Sequence, residues 1–200
     1  RSAVGHLVGR DTDILDATEV SRAAVEAVAE STVDGVTAPL FYACLFGPLG
    51  AVGYRAINTL DSMWGHHDEL YEHFGWASAR ADDLAGLIPA RLTLLWIAAG
   101  AALCGLRPIA ALRIAWRDAR KHQSPNSGIP EAAFAGALGI VLGGRNRYAG
   151  VWSQTVTFGS GSAYPDVQTI HDSVVLMLMT TLLCTATLSV ACLTWQRCWL

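Results

Sequence analysis

The chain has 200 residues, 52% of them hydrophobic and only 16% charged, a composition too apolar for a soluble domain of this length and suited to a membrane protein. A net charge of -3 supplies no basic field for nucleic acid, and the sequence carries no RNA-binding or zinc-finger signature. Cys44, Cys104, Cys184, Cys192 and Cys198 fall mostly in apolar stretches without a C-x-x-C pair, so they read as small buried thiols rather than a disulfide framework.

From the N-terminus, the spacing predicts a helix over 18–34, with Asp16 as N-cap, Glu19 completing a capping box and Gly35 as the stop. Glu26, Glu30 and Asp34, four apart, share one face of it with Arg22 a turn earlier. One reading is a solvated face with Arg22 and Glu26 paired. The other is a functional cluster, because the run stands just before an apolar segment, where carboxylates are costly unless they meet a cation, an arginine or water. Residues 36–57 are apolar apart from Arg55 but carry Pro39, Gly47, Pro48, Gly50 and Gly53, which predicts a kinked span or a segment that dips in and returns. At its end Arg55, Asn58, Asp61 and Ser62 fall at helical spacing. A polar stretch runs to Asp83. Its His66, His67 and His73 match no zinc spacing and read as loop histidines. It closes on Asp82 and Asp83, flanked by Arg80 and Arg91, a repelling pair that suits either a hard divalent cation or the positive end of a helix dipole.

A second apolar block covers 84–106, interrupted by Pro89 and Arg91. In 107–121, Arg113, Arg117 and Lys121 form a basic stripe beside Trp116, read either as a juxtamembrane helix or as a phosphate clamp. Asp118, Arg120, His122, Ser124, Asn126 and Glu131 then gather around the turn made by Pro125 and Gly128. After a small, glycine-rich stretch over 132–144 and a polar loop to 172, residues 173–195 run without a charged side chain, enough to cross a hydrocarbon core of about 30 Å as a helix. Arg197 after this span, with Asp166 and Asp172 before it, puts the C-terminus on the cytoplasmic side. The fold class is therefore all-α, a multi-pass integral membrane helical bundle with helical and loop segments at the interface, in one domain over 1–200.

There is no G-x-x-x-x-G-K-[ST] loop and no G-x-S-x-G elbow, which sets aside standard NTPases and hydrolases. These residue types and spacings point to a membrane enzyme whose carboxylates, arginines and amides hold a metal and a phosphorylated substrate, without naming the reaction. Aspartate-rich membrane transferases acting on diphosphates share that logic without matching spacings, and a corrinoid-binding or transport subunit would line a passage with the same residues. The strings themselves go further: G-R-D-T at 9–12, A-E-S-T-V-D-G at 29–35, A-P-L-F-Y at 38–42, N-T-L-D-S-M at 58–63, F-G-W-A-S-A-R at 74–80, I-P-A-R at 88–91, S-P-N-S-G at 124–128 and E-A-A-F-A-G-A-L-G from 131. In this order they resemble the adenosylcobinamide-phosphate synthase family, the cobalamin-biosynthesis CobD/CbiB proteins.

The resemblance implies a cell-membrane enzyme with a cytoplasmic active face. Such an enzyme joins aminopropanol, usually as its phosphate, to a carboxylate of adenosylcobyric acid, a corrinoid, in an ATP-dependent amide condensation with Mg²⁺. It implies N-terminal membrane segments ahead of the G-R-D-T motif, and a lipid bilayer, further copies of the chain or other cobalamin-pathway enzymes as partners. For that chemistry Asp61, Asp82 and Asp83 are expected to hold Mg²⁺, Arg55 and Arg91 to bind phosphate, and Glu30 or Asp34 to accept the amine proton, with Asp61 counted among the catalytic residues. Arg10, Asp11, Asn58, His122 and Asn126 complete the expected substrate contacts. Ser31, Gly86 and Gln123 depart from the family pattern, which has asparagine at the first two positions and proline at the third.

Overall fold

The computed structural model describes residues 2–64, 72–148, 150–161 and 163–197. His66, His67 and Cys198 lie outside the described residues, as does the side chain of His73.

A single turn, α1 (Ser2–Gly5), precedes α2 (Ala17–Ser31). The predicted capping box is present: Glu19 N donates to Asp16 at 2.8 Å and Asp16 N donates to Glu19 at 3.2 Å. Gly35 does not stop the helix. The chain runs on through a π-helical turn, Thr32–Thr37, into α3 (Ala38–Trp64). In the wider π register the Asp34 carbonyl faces Pro39, which has no N–H to donate, and Arg55 Nη1 supplies the donor instead at 3.1 Å. Packing against a later helix also holds the turn, where the Thr37 and Thr93 hydroxyls meet at 2.6 Å. The predicted kink falls at Gly47, whose φ of 67° no bulky residue adopts easily, just before Pro48.

Helix α4 (Glu72–Leu103) packs beside α3, and α5 (Pro108–Asp118) starts with proline at a first-turn position where a missing N–H costs nothing. A 3-10 turn, Ala119–Lys121, leads through 122–127 to α6 (Gly128–Leu138). What the sequence reads as a polar loop contains a β-hairpin, β1 (Leu142–Tyr148) and β2 (Val151–Phe158), antiparallel from Leu142↔Phe158 to Tyr148↔Val151. Its signal is the β-branched and aromatic run V-W-S-Q-T-V-T-F ahead of a glycine, which polarity masks. Helix α7 (Val167–Arg197) closes the bundle, which is helical apart from the hairpin.

The core forms around α6, whose Ala132, Ala133, Phe134, Ala135 and Ala137 are buried against Val25 and Ala29 of α2, Ile97 and Ala101 of α4, Ile114 of α5 and Leu176 of α7. Such small side chains let helix backbones approach closely. Three stretches, Ala17–Trp64, Gly75–Leu103 and Val167–Thr194, are long and apolar enough to cross a membrane. They present Phe46, Leu49, Leu84, Leu95, Leu182 and Val190 outward. One cysteine expectation is corrected: Cys44 of α3 and Cys192 of α7 pair as a disulfide, because helix packing brings residues 148 apart in sequence to a Cα separation of 6.0 Å. Cys104 and Cys184 remain free.

Candidate active site

The carboxylates that the sequence scatters over three segments meet where the polar ends of α3 and α4 adjoin the π turn and the loop 122–127. A cavity of about 510 Å³ is lined by Glu30 and Asp34, by Asn58 and Asp61 of α3, by Asp82 and Asp83 of α4, and by His122 and Ser124. The π turn carries Asp34 to this wall, where Tyr54 donates to its carboxylate at 3.1 Å. Asn58 links two elements, accepting from Arg55 at 3.2 Å and donating to Asp82 at 3.3 Å. Asp83 accepts from the Ser124 hydroxyl at 3.1 Å and pairs with Arg80 at 3.7 Å. Asp34, Asp61 and Asp83 all lie close enough to repel Asp82.

Arg91 and Asn126, expected at the substrate, brace the loop from behind. Arg91 donates to Asn126 Oδ1 at 2.7 Å and to the Pro125 carbonyl at 3.3 Å, while Asn126 Nδ2 donates to the Asp83 carbonyl at 2.7 Å. Neither lines the carboxylate cavity, and nor does Arg55. A Cβ at Gly86 would stand 2.6 Å from Asn126 Nδ2, so any side chain there would have to turn the Asn126 amide aside.

A second, smaller cavity of about 260 Å³ adjoins the first, sharing Glu30 and His122 with it. Arg10, Glu26, Glu131, Asn146 and Tyr148 also line it. Arg10 is held by Glu26 and, at 2.8 Å, by Asn146 Oδ1. Arg22 donates to Glu26 at 3.1 Å, to Asn146 at 2.9 Å and to the Gly143 carbonyl at 2.7 Å, and Gly143 N returns a bond to Glu26 at 2.7 Å. Both guanidinium groups therefore clamp the hairpin to α2. Asp11, expected at the substrate, accepts from Gly150 N at 2.9 Å and faces Arg147 at 3.6 Å, away from either cavity.

His122 Nδ1 lies 3.0 Å from Ser124 N and 3.3 Å from the Ser124 carbonyl, so either tautomer of the neutral ring finds a partner in the loop. Burial lowers its pKa and leaves the ring neutral at physiological pH, against the opposing pull of the contact between Nδ1 and the Ser124 carbonyl and of the Asp83 charge. Glu131, in the first turn of α6, is pushed up to about 8 by burial and by the charges of Glu26 and Glu30, with Arg10 pulling the other way. The sequence places Glu131 in the loop cluster without a role; its signal was a carboxylate opening an otherwise apolar helix. The basic stripe faces elsewhere: Arg117 and Lys121 hold the buried Asp118 at 2.6 and 2.7 Å, and Trp116 is exposed.

Among the described residues no three His, Cys, Asp or Glu side chains converge as a metal cage. One or two carboxylates at a cavity wall fit the manner in which Mg²⁺ is carried in with phosphate oxygens.

No solved structure matches the chain. The profile of the CobD/Cbib protein family matches residues 1–177. The chain is 59% identical over 150 residues to the cobalamin biosynthesis protein CobD of Geobacter metallireducens, covering 75% of this chain and 47% of that protein. It is 56% identical over 149 residues to CobD of Rhodobacter capsulatus, covering 74% and 46%. It is also 44% identical over 200 residues to the cobalamin biosynthesis protein CbiB of Salmonella arizonae, covering 100% and 61%. The chain thus spans about half the length of the first two relatives and somewhat more of the third. A profile match over most of its residues, together with identities at this level, means that the chain belongs to the CobD/CbiB family.

Proposed function

We propose that the chain carries the reaction centre of a cobalamin-biosynthesis amide ligase, which condenses a carboxylate of adenosylcobyric acid with aminopropanol or its phosphate at the expense of ATP. One observation carries this reading: Glu30, Asp34, Asp61, Asp82 and Asp83, drawn from separate segments, line one cavity beside helices apolar enough to cross a membrane. The names of the relatives supply the pathway.

A carboxylate is a poor acyl donor, so the γ-phosphoryl of ATP passes to it and makes phosphate the leaving group. Mg²⁺, when bound by Asp82 with Asp61 or Asp83, would offset phosphate charge. Around that step the chain's own groups orient the reactants. Asn58 holds Asp82 in place, Ser124 holds Asp83, and His122 stands in the same wall. Glu30 or Asp34 takes a proton from the amine. A corrinoid is larger than a 510 Å³ space, so its reacting side arm enters while the ring stays outside.

The test supplies adenosylcobyric acid, ATP, Mg²⁺ and aminopropanol phosphate to membranes containing the full-length protein, with the corrinoid carboxylates labelled with ¹⁸O. Mass spectrometry should find the amide, and one labelled oxygen in inorganic phosphate for each bond made. Release of diphosphate without an amide would point to the transferase reading, and corrinoid binding without ATP turnover to a transport subunit.

A further inference from the structure

We propose that the smaller cavity is the amine pocket, where Glu131, with Glu30 beside it, receives the ammonium end of the nucleophile and takes one of its protons before the C–N bond forms. This assignment rests on the ligase reading and moves the proton-accepting role given there to Glu30 or Asp34 onto Glu131.

The geometry separates Glu131 from the other acids. Glu26 is fully engaged by Arg10, Arg22 and Gly143 N, so its charge is already balanced. Glu131 has no hydrogen-bond donor among the described residues, yet it opens onto the cavity from the first turn of a helix otherwise packed into the core. The groups that face the space are Glu26 and Glu30 of α2, Arg10 of the N-terminal segment, His122 of the loop, and Tyr148 of β1; β2 contributes only Thr155, Val156 and Phe158. Arg10 is turned to Glu26 and His122 is neutral, so Glu30 and Glu131 have no cation to themselves. A cationic amine head supplies one, whereas a second phosphate would meet unbalanced acids. Glu30 and His122 border both cavities, so an amine held here lies next to the acyl group in the larger one.

The chemistry suits this environment. An alkyl ammonium loses its proton near pH 10, and a carboxylate with its ordinary pKa is too weak to take it efficiently. At about 8, Glu131 is closer to a match. The balance is complete: one ammonium proton passes to Glu131, and nitrogen adds to the acyl carbon. The acyl C–O bond to phosphate then breaks, and phosphate departs with the electron pair and the second proton lost from nitrogen.

Full-length protein in membranes, wild type and Glu131→Gln, should be assayed with two nucleophiles, aminopropanol phosphate and hydroxylamine, the latter already unprotonated at neutral pH. Amide formation by Glu131→Gln should fall about 100-fold, a typical loss for general-base removal. The amide deficit of the variant should narrow as the pH rises from 7 to 9 and free amine accumulates, while hydroxamate formation stays within about threefold of wild type, since that route skips the proton transfer. Glu131→Asp should recover part of the amide activity. If the variant loses both products equally, or keeps both with an unchanged pH profile, the amine-pocket assignment is overturned and the ligase reading stands. If wild-type protein makes neither product, the ligase reading fails with it.

Discussion

Asp118 shows how one side chain can be fixed by its surroundings while taking no part in either cavity. Its buried carboxylate accepts from Arg117 Nε at 2.7 Å and Nη2 at 2.6 Å, and from Gly159 N at 2.9 Å, with Lys121 Nζ at 2.7 Å. The Arg117 bonds above all hold its pKa far below the usual carboxylate range, against the opposing effect of burial. The folded state therefore binds this proton less readily than the unfolded chain. Its contribution is complete above about pH 4 and is lost as the pH falls through the lower folded value. Asp118→Asn should cost about 2 kcal/mol at neutral pH, since it breaks charge-assisted bonds but leaves Arg117 and Lys121 half exposed to water, and the variant should show a shallower acid decline in denaturant titrations followed by circular dichroism in detergent. Glu131 has the opposite slope. With its pKa raised from 4.5 to about 8, its contribution is full below pH 4.5 and lost as pH rises towards 8. Glu131→Gln should gain stability over wild type across that window; a gap that does not widen with pH would contradict the raised pKa. Gly86→Leu should push Asn126 off the Asp83 carbonyl and lower activity, as turnover of the two forms will show. At this scale the sequence exposes residue types and spacings: Glu30, Asp34, Asn58, Asp61, Asp82, Asp83 and His122 all line one cavity. It hides which way a guanidinium points. Arg10, Arg55 and Arg91 find partners in the chain itself, through contacts made across folded elements that linear spacing does not encode.

Among the elements, the hairpin depends most on a polar junction. Among the described residues Glu26 is the acid that pairs with both Arg10 and Arg22, and its loss takes that partner from two buried guanidinium groups. Glu26→Gln should cost about 3 to 5 kcal/mol and loosen β1 and β2 before the helices melt, seen as early protease cutting within 142–158. Cutting no faster than in wild type would show that the hairpin is held by its strands alone. The capping box at Asp16 and the kink at Gly47 were legible because each depends on neighbours within a few residues. The uninterrupted passage through Gly35 was not, because it rests on Arg55 reaching back to the Asp34 carbonyl and on Thr93 of another helix. The hairpin escaped for a different reason: its strands are too polar for an apolar alternation to show, and they are fixed by Arg22 far upstream.

For the molecule as a whole, the core and the membrane-facing surface use different residues. Alanine-rich packing at α6 fills the interior, while the long helices turn Leu49, Leu84 and Leu182 outward. Those exposed apolar faces predict that the protein stays with the membrane pellet after alkaline carbonate extraction, and release into the supernatant would contradict the spanning reading. Between the two surfaces lie the acids at the polar ends of α3 and α4, the part on which the proposed chemistry depends. Asp82 is the residue to change, since Asn58 bonds it and three neighbouring acids surround it. The decisive measurement is amide production from adenosylcobyric acid by full-length Asp82→Asn protein in membranes, at matched expression and thermal stability. The account predicts a loss of about 100-fold or more; turnover close to that of wild type would contradict it.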